Sequence, residues 1–282
     1  MLTNNHVNAP TQFIEVGEIR FAYRRLGKKT GTPILLLGHF RANMENWDPA
    51  VTDGLGRDRP VILFSNTGIG ASSGSTPDNV LQMAKDAITF IDAMGLQLID
   101  LLGFSLGGFI AQQVTILRPD LIRRLVLAGT GPEGGEDMEK FTDEVTKAAI
   151  NEPPLLEDFL LLFFSPSEKG QKAGKEFWNR RHLREAGIEP ATTIEVMGAQ
   201  AKAIADWGIP ANQFLQLKRI TQPVLIMNGN NDIMVPTKNS YLMFKHIENS
   251  KLILYPDSGH GFLFQYPLEF VEDVSAFLNK SF

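Results

Sequence analysis

Six short segments of this 282-residue chain are runs of almost unbroken apolar residues, and each stops at Gly, Asn or Pro or at a polar turn just beyond it. They are PILLLG (33–38), VILFSN (61–66), IDLLGF (99–104), RLVLAG (124–129), PVLIMNG (223–229) and KLILYP (251–256). A strand with one face in water alternates apolar and polar residues, so an unbroken run requires cover on both faces. Parallel strands sandwiched between helices provide it. Between most of the runs lie helical periods, in NVLQMAKDAITFIDAMG (79–95), LGGFIAQQVTILRP (106–119) and LEFVEDVSAFLNK (268–280), which can supply that cover. Upstream, QFIEVG and IRFAYRRLG flank Gly17-Glu18 and predict an opening hairpin. The expected fold class is α/β, a mostly parallel sheet of about eight strands flanked by helices.

One interval breaks the alternation. From about 132 to 220 no strand is convincing, while MEKFTDEVTKAAI, PLLEDFLLLFF and KGQKAGKEFWNRRHLREAG suggest helices. A loop of that length without structure is implausible, so a helical cap inserted after strand six is expected, with residues 1–131 and 221–282 as the core and 132–220 as the cap. The apolar LLEDFLLLFF is too short to cross a bilayer and reads as a buried helix lining a cavity.

The chemistry open to the chain is limited by what it lacks. It has no cysteine, which excludes disulfides, thiolate metal sites and a cysteine nucleophile. Net charge is −5 with 43% hydrophobic and 21% charged residues, so there is no electrostatic footprint for nucleic acid or an anionic membrane. MLTNNHVNAPTQ has neither a basic nor an apolar leader region, which makes the cytoplasm the default location. A small-molecule substrate is the expected partner, and a homodimer stays open.

Ligands of open α/β sheets sit beyond the carboxyl ends of the strands. There Gly103-Phe104-Ser105-Leu106-Gly107 joins a predicted strand to a predicted helix. A serine at such a sharp turn needs small neighbours, and the turn exposes its hydroxyl and aims the next N–H, that of Leu106, at the same point. Chance supplies roughly 0.1 such pentapeptides in a chain with this Gly and Ser content, so the placement carries more weight than the letters.

A nucleophilic serine needs a base. His6 falls in a polar tail, His182 in a basic stretch and His246 in a helical period, whereas His260 follows a strand in the glycine-bracketed loop DSGHGF. For the acid that orients the histidine, Asp232 lies just beyond PVLIMNG; its rival Asp257 is only three residues from His260. Asp232 could instead cap the helix beginning TKNSYLMF, but Thr237 is better placed for that. GTGPEG (129–134) matches a dinucleotide fingerprint, yet Pro132 and the helical insertion supply neither the helix nor the acidic strand end that such a site requires.

The order Ser105, Asp232, His260 resembles that of cap-bearing α/β hydrolases, the group that includes esterases, cofactor-free haloperoxidases and carbon–carbon bond hydrolases. The resemblance spans about 12–280 and is carried further by LLLGHFRANMENWDP, VILFSNTGIGASSGSTP and SGHGFLFQYPLEF. It implies an oxyanion hole formed by the N–H groups of Phe40 and Leu106, with Trp47 seven residues after Phe40. The family's His-Gly pair is inverted here as Gly38-His39, which leaves His39 as a structural or a pocket residue, the former preferred. Asn66 stands where the family usually has Asp. Ser105 argues against epoxide and haloalkane chemistry, for which relatives use Asp.

The resemblance implies acyl transfer without metal or organic cofactor, on a small to medium, mainly apolar carboxylic ester. The alternatives are carbon–carbon bond hydrolysis of a β-diketone or ring-fission product by the same triad, and non-catalytic binding of a small molecule. Phe159, Leu160, Phe163, Phe164, Trp178 and Trp207 are candidate walls of the cavity, together with His39 and Trp47.

Overall fold

A computed structural model describes residues 4–138, 140–209 and 212–280. Eight strands form one sheet: β1 Gln12–Val16, β2 Ile19–Gly27, β3 Ile34–Leu37, β4 Pro60–Ser65, β5 Ile99–Phe104, β6 Ile122–Ala128, β7 Val224–Gly229 and β8 Ser250–Tyr255. Their order across the sheet is β1-β2-β4-β3-β5-β6-β7-β8. β1 and β2 make the expected hairpin, β2 pairs antiparallel with β4, and every other pairing is parallel.

The unbroken apolar runs have the predicted cause. Leu35, Leu37, Leu101, Leu125, Leu127 and Ile226 belong to a core cluster on one face, with residues of α2 Val80–Ala93 and α3 Leu106–Leu117. Their chain neighbours Ile34, Leu36, Leu102, Val126, Leu225 and Met227 belong to a second cluster on the other face, with α1 Pro49–Gly56 and α10 Pro267–Asn279. The last run departs from this pattern. β8 is the edge strand, covered only in part, and its Leu254 is 45% exposed.

Between β6 and β7 the described residues contain no strand. They form α4 Asp143–Ile150, α5 Leu156–Phe163, α6 Glu168–Arg181 and α7 Ile194–Gly208, followed by a 3-10 segment, Asn212–Arg219. α7 was not singled out by the sequence pattern. Phe159, Phe163 and Phe177 of these helices join the second core cluster, and Phe177 stacks on Phe264 with ring centroids 4.3 Å apart. Beyond β7 come α8 Lys238–His246 and, after β8, the single turn α9 Phe262–Gln265. Among the described residues no helix is long and apolar enough to cross a membrane.

Candidate active site

Strand order places the site. β3 lies between β4 and β5, so the chain leaves β4 and passes over to the far side of β3 to make β5, which opens a crevice at the carboxyl ends of β3 and β5. Leu37 of β3 is registered with Gly103 of β5, so His39 and Ser105, each two residues further on, emerge side by side. On the other flank Gly229 is registered with Tyr255, which brings the Asp232 and His260 loops together.

Ser105 has φ 57° and ψ −122°, a conformation that non-glycine residues rarely adopt and that costs on the order of 1–3 kcal/mol. Hydrogen bonds to its own main chain hold it there. The Ser105 N–H donates to the Ala128 carbonyl at 3.0 Å, and its own carbonyl accepts the Gly108 N–H and the Thr130 hydroxyl, each at 2.8 Å. Helix α3 begins at Leu106, so the Leu106 N–H belongs to a first turn that has no intrahelical acceptor, while its side chain lies in the core. The turn is this tight only because Gly107 has no side chain: a Cβ there would stand 2.1 Å from the Leu37 carbonyl oxygen.

His260 Nδ1 lies 2.8 Å from Asp232 Oδ2. A carboxylate accepts, so Nδ1 carries the proton and Nε2 is left with its lone pair. The other oxygen, Oδ1, accepts the N–H groups of Met234 and Val235 at 2.8 and 2.9 Å, which fixes the carboxylate. The two loops can approach because residue 229 is glycine; a Cβ at that position would meet the Gly259 carbonyl at 2.2 Å. Asp257 turns instead to the inserted helices, accepting the Ser167 hydroxyl at 2.7 Å. Thr237 does not cap α8 with its side chain. Its hydroxyl donates to the Gly229 carbonyl at 2.6 Å and accepts the Asp232 N–H at 3.3 Å, bracing the acid's own loop.

Ser105, His260, His39 and Phe40 line one cavity of about 260 Å³, roofed by residues of the insertion. Phe159 and Phe163 are part of its wall; Trp47, Trp178 and Trp207 are not. Trp47 is buried in the second core cluster beside Phe104. Trp207 stacks on Phe109 at 5.2 Å and donates its indole N–H to the Gly131 carbonyl, and Trp178 sets its ring edge-on to Phe159. Leu160 and Phe164 likewise point elsewhere, and Leu162 takes their place in the wall.

His39 lines the cavity, although a structural role was the preferred expectation. Burial pushes its pKa down to about 3, and its Nδ1 sits 2.8 Å from the Phe40 carbonyl, so Nδ1 is the protonated nitrogen and the ring is neutral. Its Nε2 is buried and has no partner among the described residues. His6 is no tail residue: it is buried, with Nδ1 2.9 Å from the Thr52 hydroxyl. Asn66 holds the turn after β4, donating to the Met83 carbonyl and accepting the Thr67 N–H.

The sequence reading missed the polar part of the wall. Arg41, Glu45, Arg181, His182, Arg184 and Glu189 all contribute. The basic run NRRHLRE reads as a solvated helix face, and only the packing of α6 turns part of it inward. Among the described residues no group of acids and histidines could hold a metal ion.

A family model described as the alpha/beta hydrolase fold matches residues 32–267. The chain is 41% identical to an alpha/beta hydrolase fold protein from Chitinophaga pinensis, with a TM-score of 0.93 and coverage of 99% of this chain and 100% of the other. It is 26% identical over 250 residues to a pimeloyl-[acyl-carrier protein] methyl ester esterase of Nitrosomonas europaea, covering 86% of this chain and 93% of that one. It is also 25% identical over 228 residues to a putative carbamate hydrolase of Pseudomonas savastanoi, covering 80% and 85%.

Proposed function

The chain belongs to the α/β-hydrolase fold family, and on that premise we propose that it is a serine hydrolase cleaving small carboxylic esters through an acyl-enzyme on Ser105. His260 Nε2 removes the Ser105 proton as the hydroxyl oxygen attacks the ester carbon, and Asp232 stabilises the imidazolium that results. The N–H groups of Phe40 and Leu106 receive the developing oxyanion; losing one such donor typically costs about 2.7–4 kcal/mol of barrier. Collapse expels the alcohol with the proton from His260. The same histidine then takes a proton from water, which attacks the acyl-enzyme and releases the acid.

The observation that carries this reading is the Asp232–His260 pair, 2.8 Å apart, whose histidine lines the same cavity as the strained, main-chain-clamped Ser105. At about 260 Å³ the cavity falls at the small end of ligand sites, which favours a substrate of few heavy atoms. Residues 132–220 serve as the cap that roofs it. Ser105→Ala should lower kcat on short-chain p-nitrophenyl esters by about 10⁴-fold or more. An alkyl phosphonate should label the wild type at Ser105; retained turnover in the variant, or labelling elsewhere, removes the assignment.

A further inference from the structure

The cavity wall contains three arginines, and the protein satisfies two of them itself. Arg41 donates to the carbonyls of Ala149 and Asn151 and pairs with the Glu152 carboxylate. Arg184 donates to the carbonyls of His6, Val7 and Ala9. Arg181 is different. Its Nε and Nη1 are shut off from solvent with no acceptor, and among the described residues its guanidinium makes no hydrogen bond or ion pair.

What surrounds it is aromatic. The guanidinium carbon lies 4.6 Å from the ring centre of Phe159 and 5.1 Å from that of Trp178. The acid whose field reaches it, Glu45, makes no ion pair with it: its Oε1 accepts Arg24 and the Glu189 N–H, and its Oε2 is buried without a partner. Burial pushes the pKa of Arg181 down to about 10, so it remains a cation at neutral pH. Cation–π contacts offset only part of the cost of taking a guanidinium out of water, and the remainder is recovered when an anion arrives.

We propose that Arg181 is a specificity determinant that receives a second, unreacting carboxylate of the substrate, so that the preferred substrates are hemi-esters of small dicarboxylic acids rather than neutral esters. This rests on the hydrolase reading for the bond that is broken. Water supplies hydroxide to the acyl carbon and a proton to the leaving alkoxide, and the carboxylate on Arg181 is unchanged. A carboxylate suits the site better than a phosphate monoester, whose charge approaches −2 at neutral pH and calls for more than one cation, because Arg41 and Arg184 are already engaged. Of the guanidinium nitrogens, Nη2 is the one not shut off from solvent, and a charge-assisted hydrogen bond from it is the contact such a carboxylate makes.

The test compares monomethyl with dimethyl esters of the dicarboxylic acids from succinic to adipic, on wild type, Arg181→Met and Arg181→Lys. Both substrates are read on the same protein, so a folding defect cancels in their ratio. Expected is a wild-type kcat/KM ratio in favour of the hemi-ester, lowered about tenfold or more in Arg181→Met, chiefly through KM, and partly restored in Arg181→Lys. Binding of glutarate to Ser105→Ala by calorimetry, weakened to the same degree when Arg181→Met is added, is the second expected result and does not depend on turnover. A ratio at or below one in the wild type, or one that Arg181→Met leaves unchanged, overturns the proposal even while phosphonate labels Ser105 and the hydrolase reading stands. Conversely, unlabelled Ser105 with Arg181-dependent glutarate binding overturns the hydrolase reading and keeps the anion site.

Discussion

The strand ends and the inserted helices enclose the same cavity but are fixed by different kinds of contact. At the strand ends, main chain meets main chain: Ser105 is clamped through its own N–H and carbonyl, and the Gly107 main chain lies against the Leu37 carbonyl too closely for any side chain. The inserted helices are held mostly by side chains reaching across a seam, beside one main-chain bond from the Gly261 N–H to the Phe163 carbonyl. Arg180 pairs with Asp48, and Glu189 accepts the Ser65 hydroxyl and the N–H groups of Met44 and Ala71. Arg184 grips three carbonyls near the start of the chain, and Phe177 lies on Phe264. On the proposed reading, Ser105 is positioned through its main chain, and what reaches it is chosen by side chains of the inserted helices.

The largest expected effect tests the backbone half of that contrast. Gly107→Ala would put a methyl group 2.1 Å from a main-chain oxygen of a central strand, and neither partner has room to yield. A loss of more than about 4 kcal/mol is expected, seen as failure to accumulate folded protein or as a melting temperature lowered by about 8 °C or more. A variant that melts near the wild type would show the turn at Ser105 to be softer than its contacts imply.

Phe177→Ala probes the seam. It removes a fully buried ring stacked on Phe264 and should cost about 3–5 kcal/mol. If the cap is a separate unit, calorimetry should resolve an early transition, and limited proteolysis should cut within 132–220 before it cuts the sheet. A single lowered transition would mean that seam and core open together.

The smallest effect concerns pH. Burial pushes the His6 pKa down to about 4 from an ordinary value near 6.5. Between those values the unfolded chain binds a proton that the folded chain refuses, so stability is lost as pH falls through this window, by up to about 1.4 kcal/mol per pH unit from this group. His6→Gln cannot titrate, and its unfolding free energy in urea should fall less steeply than that of the wild type from pH 6.5 to 4.5. Parallel profiles would mean that water reaches the segment Arg184 holds.

The same contrast explains what the sequence made legible. Strands β3 to β7 are legible because burial on two faces leaves each run apolar but for a few residues such as Asp100, Arg124 and Asn228, and β8 shows a similar run although it lies at the edge with only partial cover. The turn at Ser105, the Asp232 loop and the His260 loop are legible because close approach of main chains demands glycine, which a sequence displays directly. The contribution of the inserted helices is harder to see. Apolar spacing marks Trp178 and Trp207 as buried but says nothing about which neighbour each meets, and both face away from the cavity. Arg181 sits in a basic stretch that looks solvated, because its burial depends on Phe159 of another helix as well as on Trp178 of its own, and the sequence does not show that packing. His6, in a segment that looked like a tail, was hidden for the same reason.

The contact between Gly107 and the Leu37 carbonyl also bears on descent. A wall residue that holds little else, such as Ile188 or Ala191, has room to change and so to alter what the cavity admits. At position 107 no such room exists, since the smallest replacement already collides with the sheet.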